Sequence, residues 1–144
     1  MVDAIIEILG GDKVFGKIPT DKFALADIIE QGLPFQAFEH LKKALRLSDV
    51  EAAATLGVGQ KTISRTRKTP GKNLEKVPSD RLYRLANLFR IALEVFEDED
   101  SARRWLRSPQ VGLNNRIPLE LADTEVGNQE VINLLGRIEH GIIS

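Results

Sequence analysis

Apolar residues recur along the chain at helical spacing, in stretches broken by glycine, proline or short polar runs, and almost nothing alternates with a period of two. Residues 2–9 place Val2, Ile5, Ile6, Ile8 and Leu9 on a short stripe that Gly10-Gly11 stops. A second helix fits residues 21–31. Thr20 or Asp21 caps it, Phe23, Leu25, Ala26, Ile28 and Ile29 supply its apolar face, and Gly32 closes it. Pro34 opens a third, with Phe35, Phe38, Leu41 and Leu45 in register and Lys42, Lys43 and Arg46 near its end, where cations complement the helix dipole. Ser79 reads as the cap of a long helix reaching about Val95, broad in apolar surface from Leu82 to Phe96. The acidic run Glu97-Asp98-Glu99-Asp100 reads as a helix start, followed by Ala102, Trp105 and Leu106 inward and Arg103, Arg104 and Arg107 outward. Pro109 ends that helix, and Gly112-Leu113-Asn114-Asn115 makes a turn. Asp123 or Thr124 then caps a last helix with the stripe Val131, Leu134, Leu135 and Ile138, closed by His140-Gly141. Val111 and Ile117 are the candidates for a minor extended pair in a chain that is otherwise mainly α.

Residues 48–68 carry the most informative spacing. Ser48 and Glu51 form a capping box, Ala53 is small where two steeply crossing helices approach, and Gly57 supplies a turn residue able to take positive φ. Val58 and Ile63 fill the angle between the helices, which together read as a helix-turn-helix. If the second helix starts near Gln60, then Lys61, Ser64, Arg65 and Lys68 share one face and Ile63 points the other way. A polar, cationic stripe opposite a buried anchor suits a recognition helix in a major groove. Gln60, Lys61, Thr62, Ser64, Arg65 and Lys68 are accordingly the candidate DNA-binding residues. Lys72, Lys76, Arg81 and Arg84 are candidates for phosphate contacts, which position a protein on DNA without specifying sequence.

Charge distribution agrees with that assignment. The formal net charge is −1, but residues 1–60 hold 6 basic against 9 acidic side chains, residues 61–93 hold 9 against 2, and residues 94–144 hold 5 against 10. The one basic block therefore coincides with the helix-turn-helix and the segment after it, as a local phosphate-binding surface requires. Leu, Ile, Val and Phe make up 46 of the 144 residues, about a third, above the roughly 20% below which chains tend to stay disordered. There is no cysteine, which excludes disulfides and thiolate chemistry. His40 and His140 stand far apart, so no Ser-His-acid cluster, His-x-x-x-His motif or other metal-ligand spacing is present. No enzyme activity, cofactor or metal is expected. No stretch has the apolar length of a membrane span, and Met1-Val2-Asp3 lacks the basic start of a signal peptide, so a cytoplasmic location is expected.

Residues 89–141 carry Ala92-x-x-Val95-Phe96, Ala102-x-x-Trp105-Leu106-x-x-Pro109, Pro118-Leu119-x-Leu121 and Gly127-x-x-x-Val131-x-x-Leu134-Leu135-x-Arg137-Ile138-x-x-Gly141. This pattern resembles the toxin-binding domain of the Xre/MbcA/ParS antitoxins. Upstream, Gly32-Leu33-Pro34, Thr62-Ile63-Ser64-Arg65 and Ser79-Asp80-Arg81-Leu82-x-Arg84-Leu85 resemble the Xre-like helix-turn-helix that such antitoxins carry. The resemblance covers roughly residues 30–144. It departs at Glu97-Asp98, where the family commonly turns on a glycine, and at Asn114-Asn115, where a glycine is also expected.

The resemblance implies a helix-turn-helix region over residues 1–93 and a small, mostly helical toxin-binding domain over 94–144. It also implies the antitoxin of a type II toxin-antitoxin pair, whose partners are a RES-domain toxin that degrades NAD and the operator DNA of its own operon. A homodimer on a palindromic operator, and a hetero-oligomer with the toxin, belong to the same expectation. In the family the C-terminal region covers the entrance to the toxin's active site. This places residues 127–144 at the toxin, with Arg137, Glu139 and His140 as polar contacts beside Leu134, Leu135 and Ile138. His140 in the last turn also suits the helix dipole. Two other readings stay open. One is a stand-alone repressor whose C-terminal half dimerises or senses a ligand, and the other is an interaction module with an inert helix-turn-helix.

Overall fold

The computed structural model describes residues 1–141, which are mainly α. Cα packing divides the chain into two units, one ending at Ala86 and the other beginning at Asn87.

The first unit contains α1 (Val2–Ile8), α2 (Asp12–Phe15), α3 (Lys22–Gln31), α4 (Phe35–Ala44), α5 (Asp49–Leu56), α6 (Gln60–Arg67) and the start of α7 (Lys76–Phe96). α1 rests on α4. Its Val2 and Ile6 join Leu25 in a cluster against which Phe15, Ile18, Ile29 and Tyr83 pack. Asp21, and not Thr20, caps α3 by accepting the Ala24 amide at 2.8 Å. The α3 stripe is narrower than expected, because Leu25 is buried and Ile28 and Ile29 half-buried, whereas Ala26 is exposed and Phe23 is 84% exposed. At 100° per residue, Phe23 lies about 200° around the helix from Leu25, on the side facing away from the core.

Ser79 is not the cap of the long helix. α7 begins three residues earlier, at Lys76, with Pro78 inside its first turn, where a missing N–H costs nothing. The buried Ser79 hydroxyl instead accepts the Leu33 amide at 2.8 Å and donates to the Leu74 carbonyl at 3.5 Å. The Leu74 amide in turn donates to the Leu33 carbonyl at 2.8 Å. Gly32 is required at this junction: its φ is +105°, and a Cβ there would meet the Leu74 carbonyl oxygen at 2.0 Å.

The second unit contains the rest of α7, α8 (Glu99–Arg107), a 3-10 turn (Val111–Leu113), α9 (Pro118–Leu121) and α10 (Glu125–Glu139). Asp98 caps α8 by accepting the Ser101 amide and hydroxyl, each at 2.8 Å, and these bonds hold its carboxyl below the usual range. Ala102 and Leu106 are buried, and half-buried Trp105 leans on Phe96 with ring centres 5.6 Å apart. Half-buried Arg103 folds back to Asp100. The extended pair forms between Gln110 and Arg116, one residue ahead of each expected position, because Val111 begins the 3-10 turn. Thr124, not Asp123, caps α10 through the Gly127 amide at 3.0 Å. α10 packs on α9 and on the 3-10 turn. Its inner face is Gly127, Asn128, Val131, Leu134 and Leu135. Among the described residues no β-sheet forms and no helix is long and apolar enough to cross a membrane.

Candidate functional site

The first candidate site is built on α5 and α6. The Ser48–Glu51 capping box is present in both directions, with the Glu51 amide donating to Ser48 at 3.1 Å and the Ser48 amide to Glu51 at 3.0 Å. It fixes where α5 starts. Gly57 ends α5 in the left-handed region at φ +70°, and the chain re-enters a helix at Gln60 after Gly59. α5 packs against α6, with Ala52, Ala53, Leu56 and Ile63 buried.

α6 then has two chemically different sides. Ile63, Thr66 and Arg67 fall at i, i+3 and i+4 on the inner one; Ile63 and Thr66 are buried, and the Thr66 hydroxyl donates to the Thr62 carbonyl at 2.7 Å. Gln60, Lys61, Thr62, Ser64, Arg65 and Lys68, the six residues named from the sequence, are all exposed. Lys61, Ser64, Arg65 and Lys68 line the outward stripe.

The basic block is smaller in effect than its count of cations. Arg67 is directed inward, donating to Glu39 at 2.7 Å and to both Asp49 oxygens at 3.1 and 3.2 Å, with its guanidinium 5.7 Å from the centre of the Phe35 ring. Lys42 joins Asp49 at 3.2 Å. Hydrogen bonds from Arg67 and Lys42 hold the Asp49 carboxyl below its ordinary range, and those to Asp49 and Glu39 hold the Arg67 guanidinium above its own. Lys76 pairs with Glu30 at 2.9 Å, Arg84 with Asp80 at 3.3 Å and Arg90 with Glu94 at 3.0 Å. Arg81 lies against the turn: a Cβ on Gly57 would stand 2.0 Å from its Nη1. Lys61, Arg65, Lys68 and Lys72 remain, without an ion pair among the described residues. Three of the four sit on α6 or at its C-terminal cap, and Lys72 follows in the next loop. Such an exposed, uncompensated cation set suits phosphates and base edges.

Comparison with known families bears on both units. Residues 24–87 match the Xre-like antitoxin helix-turn-helix domain, and residues 92–141 match the C-terminal toxin-binding domain of the Xre/MbcA/ParS antitoxins. An Xre antitoxin from Photorhabdus laumondii is 32% identical over 121 residues, which is 81% of this chain and 79% of that protein. The chain belongs to the Xre antitoxin family. A further Xre antitoxin, from Yersinia enterocolitica, is 29% identical over 121 residues, covering 83% of this chain and 81% of its own. One from Pseudomonas putida is 33% identical over 63 residues, or 44% and 40% of the two chains. This Xre-family chain thus joins a DNA-binding helix-turn-helix domain to a toxin-binding domain.

Within the toxin-binding domain of this antitoxin, Leu134 and Leu135 are 2% and 0% exposed, so both are core residues holding α10 in place. Arg137 and Ile138 are half-buried and Glu139 and His140 exposed, so the surface offered by this end of α10 is mainly polar. Residues 142–144 of the expected toxin-facing segment lie outside the described residues. Sequence reasoning missed the inward role of Arg67. The signal was available, since Arg67 stands four residues after the anchor Ile63 and so shares its face.

Proposed function

We propose that this antitoxin neutralises a RES-domain toxin that degrades NAD, by covering the toxin's active site, and that as a cytoplasmic homodimer it represses its own operon. The observation that carries the reading is the coupling, in one chain, of four uncompensated cations on and beside a helix-turn-helix with a toxin-binding domain of the same family. The RES and NAD parts rest on the family resemblance described above. Two copies would set two α6 helices about one DNA turn apart, matching a palindromic operator. Neutralisation is by occlusion and asks no chemistry of the chain. The far end of α10, with Arg137, Ile138, Glu139 and His140, is proposed to lie over the active-site entrance. Leu134 and Leu135 would support that surface from beneath.

The test is an affinity pull-down of the tagged chain from its own cells, with any stoichiometric partner identified by mass, separated, and assayed for NAD consumption. A partner that consumes NAD alone and stops when the full chain is added back supports the proposal. A stoichiometric partner that is toxic but leaves NAD untouched removes the RES assignment and keeps the antitoxin one. Recovery of upstream DNA with no protein partner would favour a stand-alone repressor.

A further inference from the structure

α3 carries a surface pattern that its own packing leaves unused. Phe23, at 84%, is the most exposed large hydrophobic side chain among the described residues. One such residue is ordinary, but Phe23 heads a row. Phe23, Ala26 and Ile29 follow one another at i+3, with Ala26 exposed and Ile29 half-buried. A second row, Lys22, Ala26 and Glu30 at i+4, crosses the first at Ala26, and all three of its residues are exposed. Beside the two rows, between α3 and the start of α7, lies a groove of about 400 Å³ whose apolar lining is Leu25, Ala26, Ile29 and Tyr83. Its charged lining is balanced, Lys22 and Lys76 against Glu30 and Asp80. Glu30 holds Lys76 at 2.9 Å, whereas Lys22 has no ion pair among the described residues.

We propose that two copies of the chain meet on this face, α3 against α3 across a two-fold axis at Ala26. The inference names an interface for the homodimer proposed above and rests on that reading. The pattern itself selects a second copy as the occupant. The commonest packing of two helices lays their i±4 rows side by side, with the helices crossing at about 50°. A two-fold axis through Ala26 reverses the i±4 row of the second copy, so Lys22 of each copy stands opposite Glu30 of the other. The axis then runs close to the i±3 row, which brings Phe23, Ala26 and Ile29 each onto its own counterpart. The contacts that result are matched: aromatic on aromatic, aliphatic on aliphatic, and opposite charges at both ends. Ala26, the smallest side chain of the two rows, takes the crossing point, where the helices approach most closely. A carboxylate accepts from more than one donor, so Glu30 keeps Lys76 while receiving Lys22 of the other copy. No residue of α5 or α6 belongs to either row or lines the groove, which leaves the outward stripe of α6 to DNA.

The experiment measures self-association of the full-length chain by sedimentation equilibrium, for the wild type, Phe23→Ser and Lys22→Glu, and disulfide cross-linking of Ala26→Cys and Val126→Cys under mild oxidation. The chain has no cysteine of its own, so any cross-link reports the introduced residue. Disulfides need Cα atoms within about 7 Å, which Ala26 on the axis provides. Val126, exposed in the second unit, is the control for chance collision. Phe23 and Lys22 are exposed in the first turn of α3, where substitution spares the core, and helical circular dichroism checks each fold. Phe23→Ser is expected to weaken the dimer at least ten-fold. Lys22→Glu, which sets carboxylate against carboxylate at both ends, is expected to weaken it too. Ala26→Cys is expected to form a covalent dimer and Val126→Cys to stay monomeric on a non-reducing gel. Wild-type association in Phe23→Ser, or an Ala26→Cys that links no faster than Val126→Cys, would overturn this face and leave the homodimer standing. A wild type that sediments as a monomer would overturn both.

Discussion

Arg65 and Arg67 stand two positions apart on α6 and face opposite chemistry: Arg65 is exposed without an ion pair, while Arg67 ties α6 to α4 and α5 through Glu39 and Asp49. Two exposed ion pairs and a guanidinium over the Phe35 ring are together worth about 1–2 kcal/mol. Arg67→Ala should therefore lower the urea midpoint of the first unit at pH 7. The effect should depend on pH with a definite sign. Asp49 is held below the ordinary carboxylate range in the folded chain by its hydrogen bonds to Arg67 and Lys42, so its stabilisation is present above that range and is lost as pH falls through the lowered folded value. The gap in midpoint between wild type and Arg67→Ala should shrink as pH is taken from about 5 to below this range; an undiminished gap would show that Asp49 is not what Arg67 holds. Such roles are only partly legible in sequence. Arg67 shares its face with Ile63 and was readable by period, but the acids it meets lie 18 and 28 residues away. Ser79 is harder still, because its partner Leu33 is 46 residues distant and the hydroxyl sits in a stretch that mimics a local cap. Glu97, Asn114 and Asn115 take the left-handed conformation, with φ of 56°, 60° and 61°. Those are the places where the family resemblance led one to expect glycine, so the turns persist without it.

Helices that declare both ends locally were the ones the pattern placed well. α5 has its capping box and Gly57, and α10 has Thr124 and the closing Gly141. α2, four residues between Gly11 and Gly16, leaves too short a stripe to register. Packing between elements is visible only where a residue type betrays it, and α10 offers two glycines for comparison. Gly127 touches α9 so closely that a Cβ would stand 1.9 Å from the Leu121 carbonyl oxygen, whereas a Cβ on Gly136 would meet nothing within 4 Å. The same substitution should act with opposite signs. Gly127→Ala forces α10 away from α9 and is expected to lose about 1–3 kcal/mol, as overpacking does. Gly136→Ala is expected to gain about 0.5–1 kcal/mol from helix propensity. Thermal unfolding of the two variants checks both, and operator binding by the first unit should be unchanged in each. Equal shifts would mean that the close approach of α9 and α10 does not set the register of the toxin-binding domain.

For the molecule as a whole, charge separates the two activities. Residues 1–86 hold 14 basic against 11 acidic side chains and residues 87–144 hold 6 against 10, so the helix-turn-helix unit is positive and the toxin-binding unit negative. Nucleic acid should be attracted to the first and repelled by the second even though the chain as a whole is slightly acidic, as the proposed contact of DNA with α6 requires. Binding to DNA should then depend on the few cations left uncompensated and not on the total. Each phosphate contact releases counterions and steepens the fall of log K with log salt by about 0.9. Lys61→Ala, Lys68→Ala and Lys72→Ala should each reduce that slope by about one per bound copy of the chain and weaken operator and non-operator DNA alike. Arg65→Ala, on the outward stripe of the recognition helix, should in addition cost about 1–3 kcal/mol on the operator for a lost base contact, and so relax specificity. Lys76→Ala and Arg84→Ala are the discriminating variants. Their charges are paired with Glu30 and Asp80, so removing them should leave the salt slope as it was. If Lys76→Ala and Arg84→Ala lower the slope as much as Lys61→Ala and Lys68→Ala do, DNA reads the whole basic block. The division of labour between outward and paired cations would then be wrong.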